Sequence, residues 1–144
     1  MEDGFEIIKE DATADIAYFA YGRSLAGMYE NAALGLFSII TDLDKVDKIQ
    51  TDMVTVEAED REALLLDFLN ELLYRWDVDK VLFSDFACEL LEEDGRFVIT
   101  AECKGESFDE RKHSAKAGVK AVTYFGMEVV EEGGIWRAKI TLDV

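Results

Sequence analysis

Proline is absent from the 144 residues, cysteine occurs twice and histidine once. The missing proline says little about function, but the other scarcities exclude whole classes of chemistry. Cys88 and Cys103 are too few for a disulfide framework, and two cysteines with one histidine cannot complete a Cys/His zinc cage. A Ser–His–Asp or Cys–His relay would have to use His113, and nothing around it resembles a nucleophile elbow. No P-loop and no dinucleotide-binding fingerprint is present. No apolar run approaches the ~20 residues that span a bilayer. The opening Met1-Glu2-Asp3-Gly4 has neither the basic start nor the apolar stretch of a signal peptide. These absences point to a soluble protein of the reducing cytoplasm. Basic residues are also scarce, 15 against 32 acidic ones, for a formal charge of −17. Affinity for nucleic acid comes largely from Lys and Arg displacing counterions, so extensive direct binding to RNA or to an anionic membrane is disfavoured. Solubility alone is the plainer reading of the acidity.

What is present is a chain of one-domain length, 49% apolar, enough for a core without covalent staples. Residues 5–8 and 16–21 read as strands, the second ending at Gly22. Ser24 is a plausible N-cap for a helix over 25–40, where Leu25, Met28, Tyr29, Ala32, Leu36, Phe37 and Ile40 recur at three- and four-residue steps. A polar stretch from Asp42 to Gln50 precedes a strand near 53–58. Asp60 then caps a second helix with a wide apolar stripe from Leu64 to Trp76, suited to lying on a sheet. Glu93-Asp94-Gly95 joins strands 81–91 and 96–104 as a hairpin, residues 105–118 look irregular, and a second hairpin links 119–130 to 135–144. In the last strand Trp136, Ala138, Ile140, Leu142 and Val144 alternate with Arg137, Lys139, Thr141 and Asp143. The sum is one α+β domain over 1–144: mostly antiparallel sheet with two amphipathic helices packed on one face.

Several residues invite a chemical reading. The Asp42–Asp47 run resembles a calcium loop but fails as an EF-hand, which needs Gly where Asp47 sits and Glu where Met53 sits; a solvated loop fits better. If the first hairpin turns at Asp94-Gly95, Cys88 faces Ala101 and Cys103 faces Phe86. The thiols are then diagonal neighbours about 7–8 Å apart, beyond comfortable disulfide reach, and stay free. Lys104, Arg111, Lys112, Lys116 and Lys120 form a basic island over 104–120, able to hold a phosphate or an acidic partner patch, or simply to balance local charge. Asp15 precedes the 16–21 strand and Asp143 ends the last one. Carboxylates at strand ends can converge, with Val144 adding an oxygen, and hard cations such as calcium or magnesium take such ligands; solvated aspartates are the ordinary alternative. On strict alternation Lys120 shares a face with Val122 and Tyr124. Its ammonium then needs water or a carboxylate, with Asp15 and Asp143 as candidates.

Three stretches, Ala12-Thr13-Ala14-Asp15-Ile16-Ala17, Lys120-Ala121-Val122-Thr123-Tyr124 and Trp136 to Val144, resemble those of the archease family. Residues 30–37 and 67–74 sit where that family's two helices belong. No single motif is decisive, but the ordered set spans almost the whole chain. The resemblance implies a non-catalytic cofactor of the tRNA-splicing RNA ligase. Such a factor promotes guanylylation of the ligase and its multiple turnover, the GTP belonging to the ligase. It also implies a metal site, usually calcium, at Asp15, Asp143 and Val144, and a functional lysine at Lys120. The chain departs from the family pattern at Ala12 and Phe125, where histidines usually stand, and at Gly118, often acidic. From other classes, the same carboxylates would serve a stand-alone metal-dependent hydrolase through an activated water, and a general chaperone is a third reading.

Overall fold

The computed structural model describes residues 3–9 and 15–144. The Ala12, Thr13 and Ala14 positions of the first motif lie outside the described residues. Seven strands and two long helices follow in the order β1 (Gly4–Lys9), β2 (Ile16–Gly22), α1 (Leu25–Ile40), β3 (Gln50–Ala58), α2 (Arg61–Asp79), β4 (Val81–Glu93), β5 (Arg96–Ser107), β6 (Ala121–Glu132) and β7 (Ile135–Asp143). The expected α+β class holds, with the strands divided between two antiparallel sheets ordered β1-β2-β7-β6 and β3-β5-β4. Each helix packs against both sheets: α1 on β1, β2 and β7 and on β4, α2 on β6 and on β3, β5 and β4.

Local chemistry starts both helices as the sequence predicts. Ser24 Oγ accepts from the Gly27 N–H at 3.0 Å, and Asp60 Oδ1 accepts from the Ala63 N–H at 2.7 Å, each satisfying an otherwise orphaned first-turn donor. Apart from Leu25, which is only partly buried, the predicted stripes are buried: Met28, Tyr29, Ala32, Leu36, Phe37 and Ile40 on α1, and Leu64, Leu65, Phe68, Leu69, Leu72, Leu73 and Trp76 on α2. Two buried tyrosines carry their hydroxyls to helix carbonyls, Tyr18 to Ala32 at 2.6 Å and Tyr29 to Arg61 at 2.5 Å, so their rings enter the core without stranding a polar atom. The Arg61 guanidinium lies over Phe97 of β5 at 5.1 Å and over Trp136 of β7 at 5.2 Å. One cation thus bridges an aromatic from each sheet.

The first hairpin has the register read from its turn: Glu93 opposite Arg96, Cys88 opposite Ala101, Phe86 opposite Cys103. Both thiols are free, and burial raises the Cys103 thiol to about 12. An irregularity between Phe83 and Asp85 adjoins Gly105, whose missing side chain lets the two strands approach. A Cβ there would lie 1.8 Å from the Leu82 carbonyl oxygen. Asp42 caps a single 3₁₀ turn, Leu43–Lys45, in keeping with a plain loop. Among the described residues no helix is long and apolar enough to cross a membrane.

Candidate functional site

The carboxylates come to one end of a sheet because β2 and β7 are antiparallel neighbours. Their ladder runs from Gly22↔Trp136 to Ile16↔Leu142, and Asp15 and Asp143 are the residues next beyond its last pair. On the other side of β7, Asp143 pairs with Ala121 of β6, and the Lys120 N–H donates to the Asp143 carbonyl at 2.7 Å. Val144, half-buried, follows at the strand end. The structure therefore brings Asp15, Asp143, Val144 and the Lys120 main chain to one end of one sheet.

Lys120 itself departs from the alternation reading. Strand β6 begins at Ala121, so Lys120 lies ahead of the ladder and is exposed, while Val119 and Val122 are buried. Tyr124 does not share a covered face either. Between Thr123↔Thr141 and Glu128↔Lys139 the register shifts, and residues 124–127 arch out opposite Ile140 alone. Gly126 carries a positive φ of 68° at this bulge, a conformation that costs glycine little. A Gly within a strand pattern is the signal that would have found it.

The bulge explains a second surprise. Thr141 belongs to the polar set of the alternating last strand, yet it is 5% exposed. The arch covers it, a Cβ on Gly126 lying 4.0 Å from Thr141 Oγ1. Its cross-strand partner Thr123 has a buried hydroxyl without a hydrogen-bond partner among the described residues. Both threonines occupy the face of the Asp15–Asp143 pair, one pair further in. Oxygen donors of this kind suit a hard divalent cation. Among the described residues no three His, Cys, Asp or Glu side chains gather around one point. A cation here would complete its shell from Val144 oxygen, the Thr123 hydroxyl or water.

Asn70, on α2, is a residue that sequence reasoning passed over. Its Nδ2 donates to the Val122 carbonyl and its Oδ1 accepts from the Val122 N–H, both at 3.0 Å. One side-chain amide thereby takes the place of a neighbouring strand along the outer edge of β6. Glu62 accepts from the Val129 N–H at 3.2 Å, so α2 seals that edge on both sides of the bulge. On the opposite sheet Glu30 of α1 accepts from the Cys88 N–H at 2.7 Å. As α2 runs from Glu62 to Asn70, β6 is met from Val129 back to Val122. The next turn of α2, bearing the 57% exposed Tyr74, therefore lies toward Lys120.

The basic island is partly consumed. Lys104 pairs with Glu102 at 3.5 Å, and Lys112 lies 2.7 Å from both Asp47 and Glu106. The same Glu106 oxygen accepts from the Asp47 N–H at 2.7 Å and lies 3.0 Å from His113 Nε2. His113 Nδ1 accepts from the Asp109 N–H, so its proton sits on Nε2 and points at the carboxylate. Hydrogen bonds from Lys112, the Asp47 amide and His113 hold the Glu106 carboxyl down to about 2. His113, buried and fully engaged, fastens the 108–118 segment rather than presenting a base.

Residues 5–144 match the model of the Archease protein family (MTH1598/TM1083). The chain is 39% identical over 141 residues to protein archease of Methanothermobacter thermautotrophicus, covering 98% of this chain and 99% of that one. To protein archease of Pyrococcus furiosus it is 38% identical over 133 residues, 92% and 94% of the two chains. The solution structure of Methanobacterium thermoautotrophicum protein 1598 superposes with a TM-score of 0.86 at 39% identity, over 98% of this chain and 99% of that one. A crystal structure described as an archease, possible chaperone, from Thermotoga maritima shares the fold at 20% identity, with a TM-score of 0.62 over 95% and 96% of the chains. Sequence and fold agree over nearly every residue, and the chain belongs to the archease family.

Proposed function

We propose that this protein is a non-catalytic activator of the tRNA-splicing RNA ligase, acting on the ligase through the end of the sheet that carries Asp15, Asp143 and Lys120. The supporting observation is the convergence itself. Asp15 and Asp143 adjoin the last pair of the β2–β7 ladder, Ile16↔Leu142, and an exposed lysine is tied by its main chain to Asp143. Asp15, Asp143 and an oxygen of Val144 hold calcium, or magnesium in its stead, which orders the strand ends. When bound, the cation supplies a fixed positive charge. Lys120, outside the ladder and in water, is placed to reach a phosphate or carboxylate of the ligase while the ligase, which binds the GTP, is guanylylated. A formal charge of −17 suits a factor that grips a protein rather than the RNA.

The test mixes the protein with the ligase of its own organism and follows guanylylation. Lys120→Ala is expected to keep a near-wild-type melting curve and lose the stimulation, because an exposed side chain contributes little to stability. A folded Lys120→Ala variant that stimulates fully would remove the lysine from the site. Calcium should raise the melting temperature of the wild type by mass action and leave Asp15→Ala/Asp143→Ala unmoved; an equal response would show the cation to bind elsewhere. A stand-alone metal-dependent hydrolase would turn over substrate without the ligase, and a general chaperone would suppress aggregation of unrelated proteins. Either activity at full strength in Lys120→Ala would favour that reading.

A further inference from the structure

Residues 124–127 form a four-residue arch where β7 spends a single residue, Ile140. At its crest Tyr124 is 56% exposed and Phe125 81% exposed, the highest value for a large apolar side chain among the described residues. Leaving a phenylalanine in water forgoes stabilisation that burial would supply, yet the arch is built to hold it there. Its base is pinned by the two Asn70–Val122 bonds, by the Thr123↔Thr141 pair and by the Glu62–Val129 bond. The arch folds over Thr141, which puts it on the face of the Asp15–Asp143 pair. Ile140 and Asp143 are three residues apart, about 10 Å at about 3.3 Å per strand residue.

We infer that Tyr124 and Phe125 form an aromatic knob that inserts into an apolar pocket, rimmed by lysine or arginine, on the partner protein. This rests on the proposed function and names the surface through which that partner is held. The shape is convex, so the complementary surface is concave and belongs to another molecule. Two aromatic side chains bury about 150–250 Å² each, well short of the roughly 800 Å² per partner of a stable complex. The knob is therefore one anchor within a wider contact, and a second copy of this chain is disfavoured as its receiver because two copies at −17 repel. Stacking on RNA bases would need a local excess of cations to neutralise phosphates, whereas Lys139 beside the arch stands opposite Glu128, which also pairs with Arg137 at 3.2 Å, and the molecule as a whole is at −17. That overall negative charge complements a basic rim on a protein.

The experiment compares wild type, Phe125→Ala and Phe125→Leu for binding to the cognate RNA ligase by biolayer interferometry, with melting temperatures in parallel. Phe125→Ala is expected to weaken binding by about 30-fold or more, as a central anchor does, mostly through a faster off-rate, with an unchanged midpoint. Phe125→Leu, which keeps an apolar anchor, should recover most of the affinity. If wild type binds and stimulates the ligase but Phe125→Ala binds equally well, the knob is refuted and the proposed function stands. If wild type neither binds nor stimulates it, the proposed function fails and the knob falls with it. A dimer in sedimentation that Phe125→Ala dissolves, or single-stranded RNA binding that it abolishes at physiological salt, would also overturn the assignment.

Discussion

Asn70 is the side chain on which the geometry of the site end most directly depends. Its amide donates to the carbonyl and accepts from the N–H of one residue, Val122, two positions from Lys120. Asn70→Ala removes both bonds and leaves two main-chain groups beneath a helix that hinders water. Each stranded group costs about 1–3 kcal/mol. Partial hydration at this half-buried position brings the sum to about 2–4 kcal/mol, or a midpoint lower by about 6–12 °C at roughly 3 °C per kcal/mol for a chain of this size. Asn70→Asp sharpens the test. The carboxylate still accepts from the Val122 N–H, but its second oxygen now faces the Val122 carbonyl with no proton between them. It should be destabilised at neutral pH and regain stability once acid protonates the carboxyl and restores a donor, a trend opposite to ordinary acid denaturation. Chemical denaturation of the three proteins from pH 4 to 7, with hydrogen exchange at the Val122 amide, measures both effects. A loss below about 0.5 kcal/mol for Asn70→Ala, within the range of neutral surface changes, would show that the amide does not substitute for a strand. So would wild-type stability of Asn70→Asp at pH 7.

Glu106→Gln should lower the midpoint at pH 7. The Glu106 carboxyl titrates at about 2 instead of 4.5, so its contribution is complete above about 4.5 and fades as pH falls towards 2. The gap between wild type and variant should close over that window in melts at stepped pH; a constant gap would deny the carboxylate its role. Gly105→Ala should be severely destabilised, by about 3 kcal/mol or more, because the added carbon meets main-chain atoms of Leu82 and Phe83; a wild-type urea midpoint would refute the close approach. Transfer RNA should bind the isolated protein weakly and be released at moderate salt in fluorescence anisotropy, whereas tight binding at physiological salt would contradict a protein partner.

Both helices, the cap residues Ser24 and Asp60 and the Asp94-Gly95 register are legible in the sequence, because capping chemistry and hydrophobic period are local. That Asp15 and Asp143 lie at the same end of one ladder needs the knowledge that β2 and β7 are neighbours, a pairing between strands more than 100 residues apart that no periodicity encodes. The division into two sheets is hidden for the same reason. Strict alternation misplaced Lys120 and Tyr124 because it assumed an unbroken strand, and Gly126, the mark of a break, was read as one more strand residue. Asn70 is invisible in sequence because a polar residue on an amphipathic helix reads as solvated until the edge beside it is known.

The arginine held between two aromatic rings gives the protein an optical signature. The chain has two tryptophans, in unlike settings. Trp136 lies under the Arg61 guanidinium shared with Phe97 of the other sheet. Trp76 meets the Phe108 ring edge-on at 5.4 Å, beneath the Lys80 ammonium. Emission from a Trp76→Phe variant would follow the seating of one sheet against the other, and emission from Trp136→Phe the docking of the chain around Phe108. Two single-tryptophan proteins would then show, without any label, whether the halves of the molecule come apart together or in succession.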